Sequence, residues 1–361
     1  MFLRLSLFLV LFSLFHKVVG NVVDMSPIVL LGSEKQGLVL NLDTSLAAST
    51  IIDEKCGRAQ RVNCPAYCDN FDFTALYCPF ACRVFTSVKC VRPSNPFVSA
   101  NSTTFRELDG EWRVEQHQRV LYGTFASDQA LMIDWEATAL LPLKDFRFVR
   151  LLVEQEPNGG YGMIPMTGAF GLAPLDHYGS VNFVQQVANQ GVVEQPIISL
   201  RLGEDAADGR ILLGRLDEAC TDWKGFPNRN LHSWILEADD IKILIAPHEI
   251  NTFLPAEVID QLVRNYVLYP VRSPYPQCTY MIWTKQTAAL ILSLNGTVYS
   301  LPLLPNGSSH QWTLECTAFD RKPQAARYTD DVDGIFGRWF FQSVCTAYDY
   351  RSNEIKLGLK K

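Results

Sequence analysis

The chain has 361 residues, of which 48 % are hydrophobic and 19 % are charged, and its formal net charge is -6. This composition excludes an intrinsically disordered chain, and the length is enough for two domains of about 100–200 residues each. A nucleic-acid-binding protein normally concentrates its basic residues in a patch, whereas the charges of this mildly acidic chain are spread along it.

The first 20 residues predict a secretory signal peptide. Arg4 supplies a positive n-region, Leu5–Phe15 is an apolar h-region, and small residues precede a predicted cut near Asn21. A signal anchor or transmembrane helix is the alternative, but this apolar run is shorter than the roughly 20 residues that a membrane span requires. We therefore expect a protein that is secreted or enters the lumen of the endolysosomal pathway, with no membrane span in the mature chain.

Short β-type runs, separated by Gly, Pro, Asn and Asp, follow along most of the chain and predict an all-β protein. The clearest of these runs are Ile28–Leu31, Gly37–Leu40, Leu131–Ile133, Ile197–Leu202 and Ile241–Ile245. One helix is predicted over Pro255–Val263, because proline favours the first turn and Val258, Ile259 and Leu262 recur at helical spacing.

The segment 56–90 contains most of the cysteines of the chain. Its six cysteines are Cys56, Cys64, Cys68, Cys78, Cys82 and Cys90. Paired cysteines a few residues apart can bind zinc, which is one interpretation. In a secreted chain, disulfides among these six are favoured, so we predict a stapled insertion with no metal and no other cofactor. The sequence does not choose among the possible pairings.

Three Asn-x-Ser/Thr sequons predict N-glycosylation, and each lies in polar, turn-like sequence. The three acceptor residues are Asn101, Asn295 and Asn306.

Several segments together resemble the pepsin-like aspartic proteases, and they occur in the order of that family. They are Ser102–Phe105 before the flap hairpin, Gly168–Pro174, the strand–turn–strand Leu290–Tyr299, and the closing strands Ile335–Phe341, Val344–Asp349 and Asn353–Leu359. No one of these matches is specific, but their order and spacing cover nearly the whole mature chain. The chain is therefore identified as similar to this family, and in its cysteines to secreted, nematode-like members.

The resemblance implies a bilobal all-β fold with two β-barrel-like lobes and a central cleft. Residues 21–196 would form the N-terminal lobe, including the insertion 56–90, and residues 197–361 the C-terminal lobe. It also implies two disulfides, Cys278–Cys316 and Cys220–Cys345, at places where family members carry cysteines.

The family cleaves peptides with two carboxylates about 3 Å apart that share one proton, each standing in an Asp-Thr/Ser-Gly turn. The strand Gly37–Leu42 leads into Asp43, Thr44 and Ser45, which match the first turn except that Ser45 replaces glycine. We expect the added side chain to cost on the order of 1 kcal/mol if the turn is kept.

The second turn is degenerate in the sequence. Aligned on the helix that begins at Pro255, its three positions are Ala246, Pro247 and His248. Alanine cannot ionise, and proline has neither a hydroxyl nor an N–H. Glu249 could be a substitute acid, but its distance along an extended strand places it on the wrong face.

The predicted flap also departs from the family, whose tyrosine and glycine align with Gln116 and His117. A shifted register could instead make Tyr122 and Gly123 the flap pair. The family's tyrosine covers the substrate and excludes water.

Three functional hypotheses follow from this sequence. The leading one is a catalytically inactive homologue that binds a peptide or protein, in the cleft or at the cysteine-rich insertion. The alternative is an aspartic endopeptidase with an atypical site that uses Asp43. The third is a structural surface protein with no ligand in the cleft. No nucleic-acid partner is expected.

Overall fold

The structure is a computed structural model, and part of the chain is described by it. The described residues are 28–56, 95–116, 119–133, 140–155, 167–176, 178–202, 210–238, 241–247, 252–265, 269–270, 280–283, 289–294, 296–302, 314–316, 319–321 and 332–361. The predicted signal peptide and most of the cysteine-rich insertion lie outside these residues. Within the described part, no helix is long and apolar enough to cross a bilayer.

The first half of the chain forms one seven-stranded sheet. Its strands are β1 (Ile28–Leu31), β2 (Gln36–Asp43), β3 (Thr50–Ile52), β4 (Arg106–Gln116), β5 (Arg119–Ile133), β6 (Leu140–Gln155) and β7 (Gly168–Gly171). Their order in the sheet is β1-β2-β7-β3-β6-β5-β4, and an additional pairing of β1 with β5 closes the sheet into a barrel. Alternating apolar side chains of β2, including Leu38, Leu40 and Leu42, fill the interior.

The second half of the chain forms several smaller sheets. Its strands are β8 (Ile197–Arg201), β9 (Arg210–Leu213), β10 (Cys220–Pro227), β11 (Ile235–Ala238), β12 (Ile241–Ile245), β13 (Thr252–Leu254), β14 (Tyr269–Pro270), β15 (Tyr280–Trp283), β16 (Ala289–Leu294), β17 (Thr297–Pro302), β18 (Leu314–Cys316), β19 (Phe319–Arg321), β20 (Gly334–Phe336), β21 (Val344–Asp349) and β22 (Glu354–Lys360). Two of the sheets have five strands, in the orders β10-β22-β21-β8-β9 and β11-β12-β20-β13-β19. The others are β14-β15-β18 and the hairpin β16-β17.

In the described residues, three short α-helices accompany the strands: α1 (Phe183–Asn189), α2 (Ala256–Arg264) and α3 (Arg338–Ser343). The predicted helix is confirmed as α2, with Pro255 as its N-cap residue. The prediction that Ile335–Phe341 is a closing strand is wrong beyond β20. The strand ends at Phe336, Gly337 caps α3, and the helix buries Phe340 and Phe341.

The all-β class is confirmed, and the closed sheet agrees with a barrel-like N-terminal half. Strands β1 to β7 pair only with one another, and so do the strands from β8 onward, within the described residues. The division into lobes at 196/197 stays a prediction.

The predicted disulfide Cys220–Cys345 is present in the structure and joins β10 to β21. Both cysteines are buried, and the two strands that they join lie on either side of β22. The disulfide therefore links β10 to β21 across the strand β22 that lies between them in this open sheet.

Candidate functional site

Asp43 is the last residue of β2, and only 4 % of it is exposed. The parallel pairing of β2 with β7 sets Asp43 opposite Gly171, and Leu172 N–H donates to the Asp43 carbonyl at 2.8 Å. A Cβ at position 171 would lie 2.2 Å from the carbonyl oxygen of Ala47, so only glycine lets the following loop come this close. The sequence thus places a carboxylate at a tightly packed strand end.

Ser45 donates two hydrogen bonds to one oxygen of the Asp43 carboxylate. Its backbone N–H and its hydroxyl both donate to Asp43 Oδ1, at 2.8 Å and 2.5 Å. Its φ is negative, as are those of all described non-glycine residues except Lys35, Asp222 and Asn353. The turn accommodates Ser45 without a left-handed backbone conformation. The Ser45 hydroxyl donates a hydrogen bond to the carboxylate that a glycine could not donate.

Thr44 links the first turn to the second half of the chain. Its hydroxyl donates to the carbonyl oxygen of Ile245 at 3.1 Å, and both groups are buried. Ile245 is the last residue of β12 and comes directly before Ala246. The first turn therefore contacts the end of the strand that leads into Ala246.

The strands around these two turns are arranged alike. β2 pairs in parallel with β7, which pairs antiparallel with β3, which pairs in parallel with β6. β12, β20, β13 and β19 repeat the same sequence of parallel, antiparallel and parallel pairings. The two halves thus share one strand motif.

The pairing register fixes the correspondence between the two motifs. In the first, Leu40 is paired with Gly168, and in the second, Ile243 is paired with Gly334. These glycines begin the related segments Gly168–Gly171 and Gly334–Gly337, which differ in sequence at one position.

A second pair of contacts gives the same correspondence. Thr50 is paired with Ala169 in the first motif, and Phe253 with Ile335 in the second. The step from Leu40 to Thr50 is as long as the step from Ile243 to Phe253, so the loops between these strands have equal length.

This register relates Asp43 to Ala246, Thr44 to Pro247 and Ser45 to His248. Ala246 is fully buried, and its N–H donates to the carbonyl of Phe336 at 2.9 Å. His248 and Glu249 lie outside the described residues.

Two aromatic side chains fix Leu172, a contact that the sequence did not indicate. Trp234 Nε1 and the Tyr350 hydroxyl donate to the same Leu172 carbonyl, at 2.6 Å and 2.7 Å. The Trp234 ring is fully buried and lies 4.9 Å from that of Tyr348. Because the Leu172 N–H holds Asp43, this network connects the first turn to two strand ends of the second half.

The hairpin β4–β5 is the predicted flap, and its tip lies between Gln116 and Arg119, which pair with each other. Gln116 ends β4, and His117 lies outside the described residues. Tyr122, the alternative flap tyrosine, is on the return strand opposite Arg113. Burial, followed by a hydrogen bond to Glu111, raises the pKa of Tyr122 to about 12.

A buried cluster joins this hairpin to the first turn. It contains Leu46 and Ala48 from the loop after Asp43, Trp112 and Leu121 from the hairpin, and Ile52, Cys56, Val149 and Leu151. Trp112 Nε1 also donates to Asp176 at 3.2 Å. Cys56 is disulfide-bonded, so the cysteine-rich insertion begins inside this cluster.

The insertion leaves and re-enters the barrel through a short stem. Asp53 and Phe97 form an isolated bridge, and Glu54 N–H donates to the Phe97 carbonyl at 2.9 Å. Asp53 is 1 % exposed, and Arg150 Nε lies 3.9 Å from its Oδ2. Burial raises the pKa of Asp53 more than the Lys55 N–H and the Arg150 charge lower it.

Most of the other predicted sites lie outside the described residues. These are Cys64, Cys68, Cys78, Cys82, Cys90, Cys278, Asn295 and Asn306. The predicted pairing of Cys278 with Cys316 and the pairings within the insertion stay predictions. Asn101 is described and exposed. The described part of the chain contains no group of three or more His, Cys, Asp or Glu that could hold a metal ion.

Comparison with known proteins agrees with this geometry. A family model described as "Eukaryotic aspartyl protease" matches residues 27–243, which is more than half of the chain. The matched range includes Asp43, Thr44 and Ser45 and ends before Ala246. No curated protein matches the chain. The chain therefore belongs to the eukaryotic aspartyl protease family.

Proposed function

We propose that this chain is a secreted, non-catalytic member of its family that binds a peptide in its cleft without cleaving it. The strand register carries the proposal, because it relates the Asp43 carboxylate to the methyl group of Ala246.

Peptide hydrolysis by this family needs two acid/base groups. One carboxylate removes a proton from water while the other, protonated, donates to the scissile carbonyl. Ala246 can do neither, and Pro247 has no hydroxyl with which to repeat the contact that Thr44 makes. The second turn therefore lacks both the carboxyl group that would react and the hydroxyl that would hold the turn in place.

The contacts that shape the cleft do not depend on the lost carboxylate. The Thr44–Ile245 hydrogen bond and the two donors on Leu172 still join the halves of the chain. Trp112 and Leu121 of the hairpin remain packed against the loop after Asp43. A preorganised cleft can bind a peptide with little further ordering, which favours affinity.

Secretion is part of the proposal. The buried Cys220–Cys345 disulfide supports an oxidising compartment, since such bonds are rare in the cytosol. The signal-like N-terminus supports the same location.

The test is a binding experiment that also reads cleavage. Fluorescein-labelled peptides from a casein digest are titrated with the full-length secreted protein, anisotropy gives the affinity, and mass spectrometry then gives the peptide lengths. We expect saturable binding of peptides that remain intact. Absence of saturable binding contradicts the binding role, and shortened peptides contradict the non-catalytic one.

A matched pair of variants locates the binding site. Val114 lies on the hairpin beside the buried cluster, whereas Leu231 is 61 % exposed on a loop that contributes nothing to that cluster. We expect Val114→Lys to weaken peptide binding and Leu231→Lys to leave it unchanged. Equal effects would place the peptide elsewhere, and the same titration with 57–94 replaced by a short linker then tests the insertion.

An endopeptidase with an atypical site is the second candidate. It is favoured by the retained Asp43 carboxylate and by the two hydrogen bonds that Ser45 donates to it. Cleavage of the labelled peptides that is inhibited by pepstatin and lost in Asp43→Ala would establish this candidate.

A further inference from the structure

One predicted modification site lies in the described part of the chain, at the end of a short 3-10 helix. The helix is Ser99–Asn101, and the acceptor motif is Asn101, Ser102 and Thr103, with Asn101 and Thr103 exposed. Because the Asn101 side chain is already in solvent, it can carry a large substituent without displacing a packed neighbour.

The backbone on either side of Asn101 is held in place. Asn101 N–H donates to the Val98 carbonyl at 3.0 Å, and Thr103 N–H donates to Ser33 Oγ at 2.9 Å. The Ser33 N–H in turn donates to Ser102 Oγ at 3.1 Å. The motif is thus fixed to the turn between β1 and β2.

The position of that turn separates the motif from the cleft. β2 starts at Gln36, just after the turn, and ends at Asp43. At about 3.3 Å per residue, the two ends of this strand are roughly 23 Å apart. A substituent on Asn101 therefore projects from the end of the barrel remote from the Asp43 turn and leaves the cleft open.

We propose that Asn101 carries an N-linked oligosaccharide. In the transfer, Asn101 Nδ2 bonds to the anomeric carbon of an oligosaccharide carried on a lipid diphosphate. The bond from that carbon to the diphosphate oxygen breaks, the diphosphate leaves with the electron pair, and a base of the transferase takes the amide proton. The modification requires entry into the secretory pathway and is independent of what the cleft binds.

The test uses the full-length chain secreted from a eukaryotic host. The peptide containing Asn101 is followed by mass spectrometry before and after peptide N-glycosidase, which converts a glycosylated asparagine to aspartate. We expect the glycan on this peptide of the wild-type protein and its conversion by the enzyme. An unmodified Asn101 in secreted protein that has formed the Cys220–Cys345 disulfide overturns the proposal.

Three variants at the exposed residues Asn101 and Thr103 test whether the acceptor motif directs the modification. Asn101→Gln and Thr103→Ala should both lose the glycan, whereas Thr103→Ser keeps the acceptor motif and should retain it. A glycan that persists on this peptide in Thr103→Ala would show that the motif is not what directs the modification. The peptide-level reading of the wild-type protein stands even if a variant fails to be secreted.

Discussion

The strand motifs around Asp43 and around Ala246 share their pairings and register but differ in the groups at their tips. The first has a carboxylate held by Ser45 and a threonine that reaches across to Ile245. The second has an alanine and a proline at the related positions. The strand arrangement can therefore be retained while the functional side chains that it carries change. For this reason family membership alone does not establish an activity.

The halves also differ in how they are closed. The first is a barrel, since β1 pairs with both β2 and β5. In the second, the sheet β10-β22-β21-β8-β9 is open, and the disulfide Cys220–Cys345 links two of its strands.

The buried acids of the two halves differ as well. The pKa of Asp53 is raised, while in the second half burial of Asp217 is outweighed by hydrogen bonds from Arg201 and Ala219 N–H, so its pKa is lowered.

The largest expected effect comes from removing the disulfide. The double variant Cys220→Ser/Cys345→Ser should lose about 2–5 kcal/mol of unfolding free energy, measured by urea denaturation. Hydrogen exchange should show lost protection in β21 and β22 first, with β2 and β7 retained. Equal loss of protection in both halves would show that the two are not separate in stability.

Two related glycines compare the tightness of the motifs. A Cβ at Gly168, whose φ is +155°, would lie 2.0 Å from the Thr50 carbonyl oxygen, whereas one at Gly334 would lie 3.1 Å from that of Phe253. We expect Gly168→Ala to cost about 3 kcal/mol and Gly334→Ala clearly less, because the overlap with backbone is much larger at Gly168. Urea midpoints of the two variants measure this, and a larger loss in Gly334→Ala would contradict it.

The contact between the turns has a smaller expected effect. Thr44→Val leaves a buried carbonyl of Ile245 without this donor and should cost about 1–3 kcal/mol, measured by urea denaturation. Thr44→Ser keeps a hydroxyl and is the matched control, which should lose less. Equal losses in the two variants would mean that methyl packing, rather than the hydrogen bond, joins the turns.

The smallest expected effect is a difference in pH dependence. A raised carboxyl pKa gives Asp53 a stabilising contribution that is full below its unfolded pKa and is lost as pH rises through the folded pKa. A lowered one gives Asp217 a contribution that is present above the unfolded pKa and is lost as pH falls through the folded pKa.

Asp53→Asn should therefore remove a loss of stability toward neutral pH, and Asp217→Asn should remove a loss toward acid. Urea midpoints from about pH 3 to pH 7 measure both changes. Shifts of the same sign in the two variants would contradict the assigned environments.

Several strands could be predicted from the sequence, because the apolar pattern of a strand depends only on residues that are close together in the chain. The apolar runs Ile28–Leu31 and Ile241–Ile245 coincide with β1 and β12. Of the long β5, only Leu131–Ile133 was named as a β-type run, since Gly123 and the polar residues Ser127, Asp128 and Gln129 interrupt the rest of that strand. Helix α1 was not predicted, although Asn182 is a favourable N-cap residue and its side chain accepts from Gln185 N–H.

The parts of the site that were missed depend on contacts between distant residues. Tyr350 and Trp234 meet at the Leu172 carbonyl only through the chain topology. Nothing near any of the three in sequence predicts that meeting. The hydrogen bond from the Ser45 hydroxyl was also missed, because a glycine-to-serine change suggested crowding rather than a new donor.

We propose that Ala246 and Pro247 leave this member of the family without aspartic protease activity. The most direct measurement is hydrolysis of denatured casein by the secreted protein at roughly pH 3–5, where the family's shared proton is in place, with and without pepstatin. We predict no turnover above that of Asp43→Ala, and none in Ala246→Asp, which still has Pro247. Pepstatin-sensitive hydrolysis by the wild-type protein that Asp43→Ala abolishes would contradict the account.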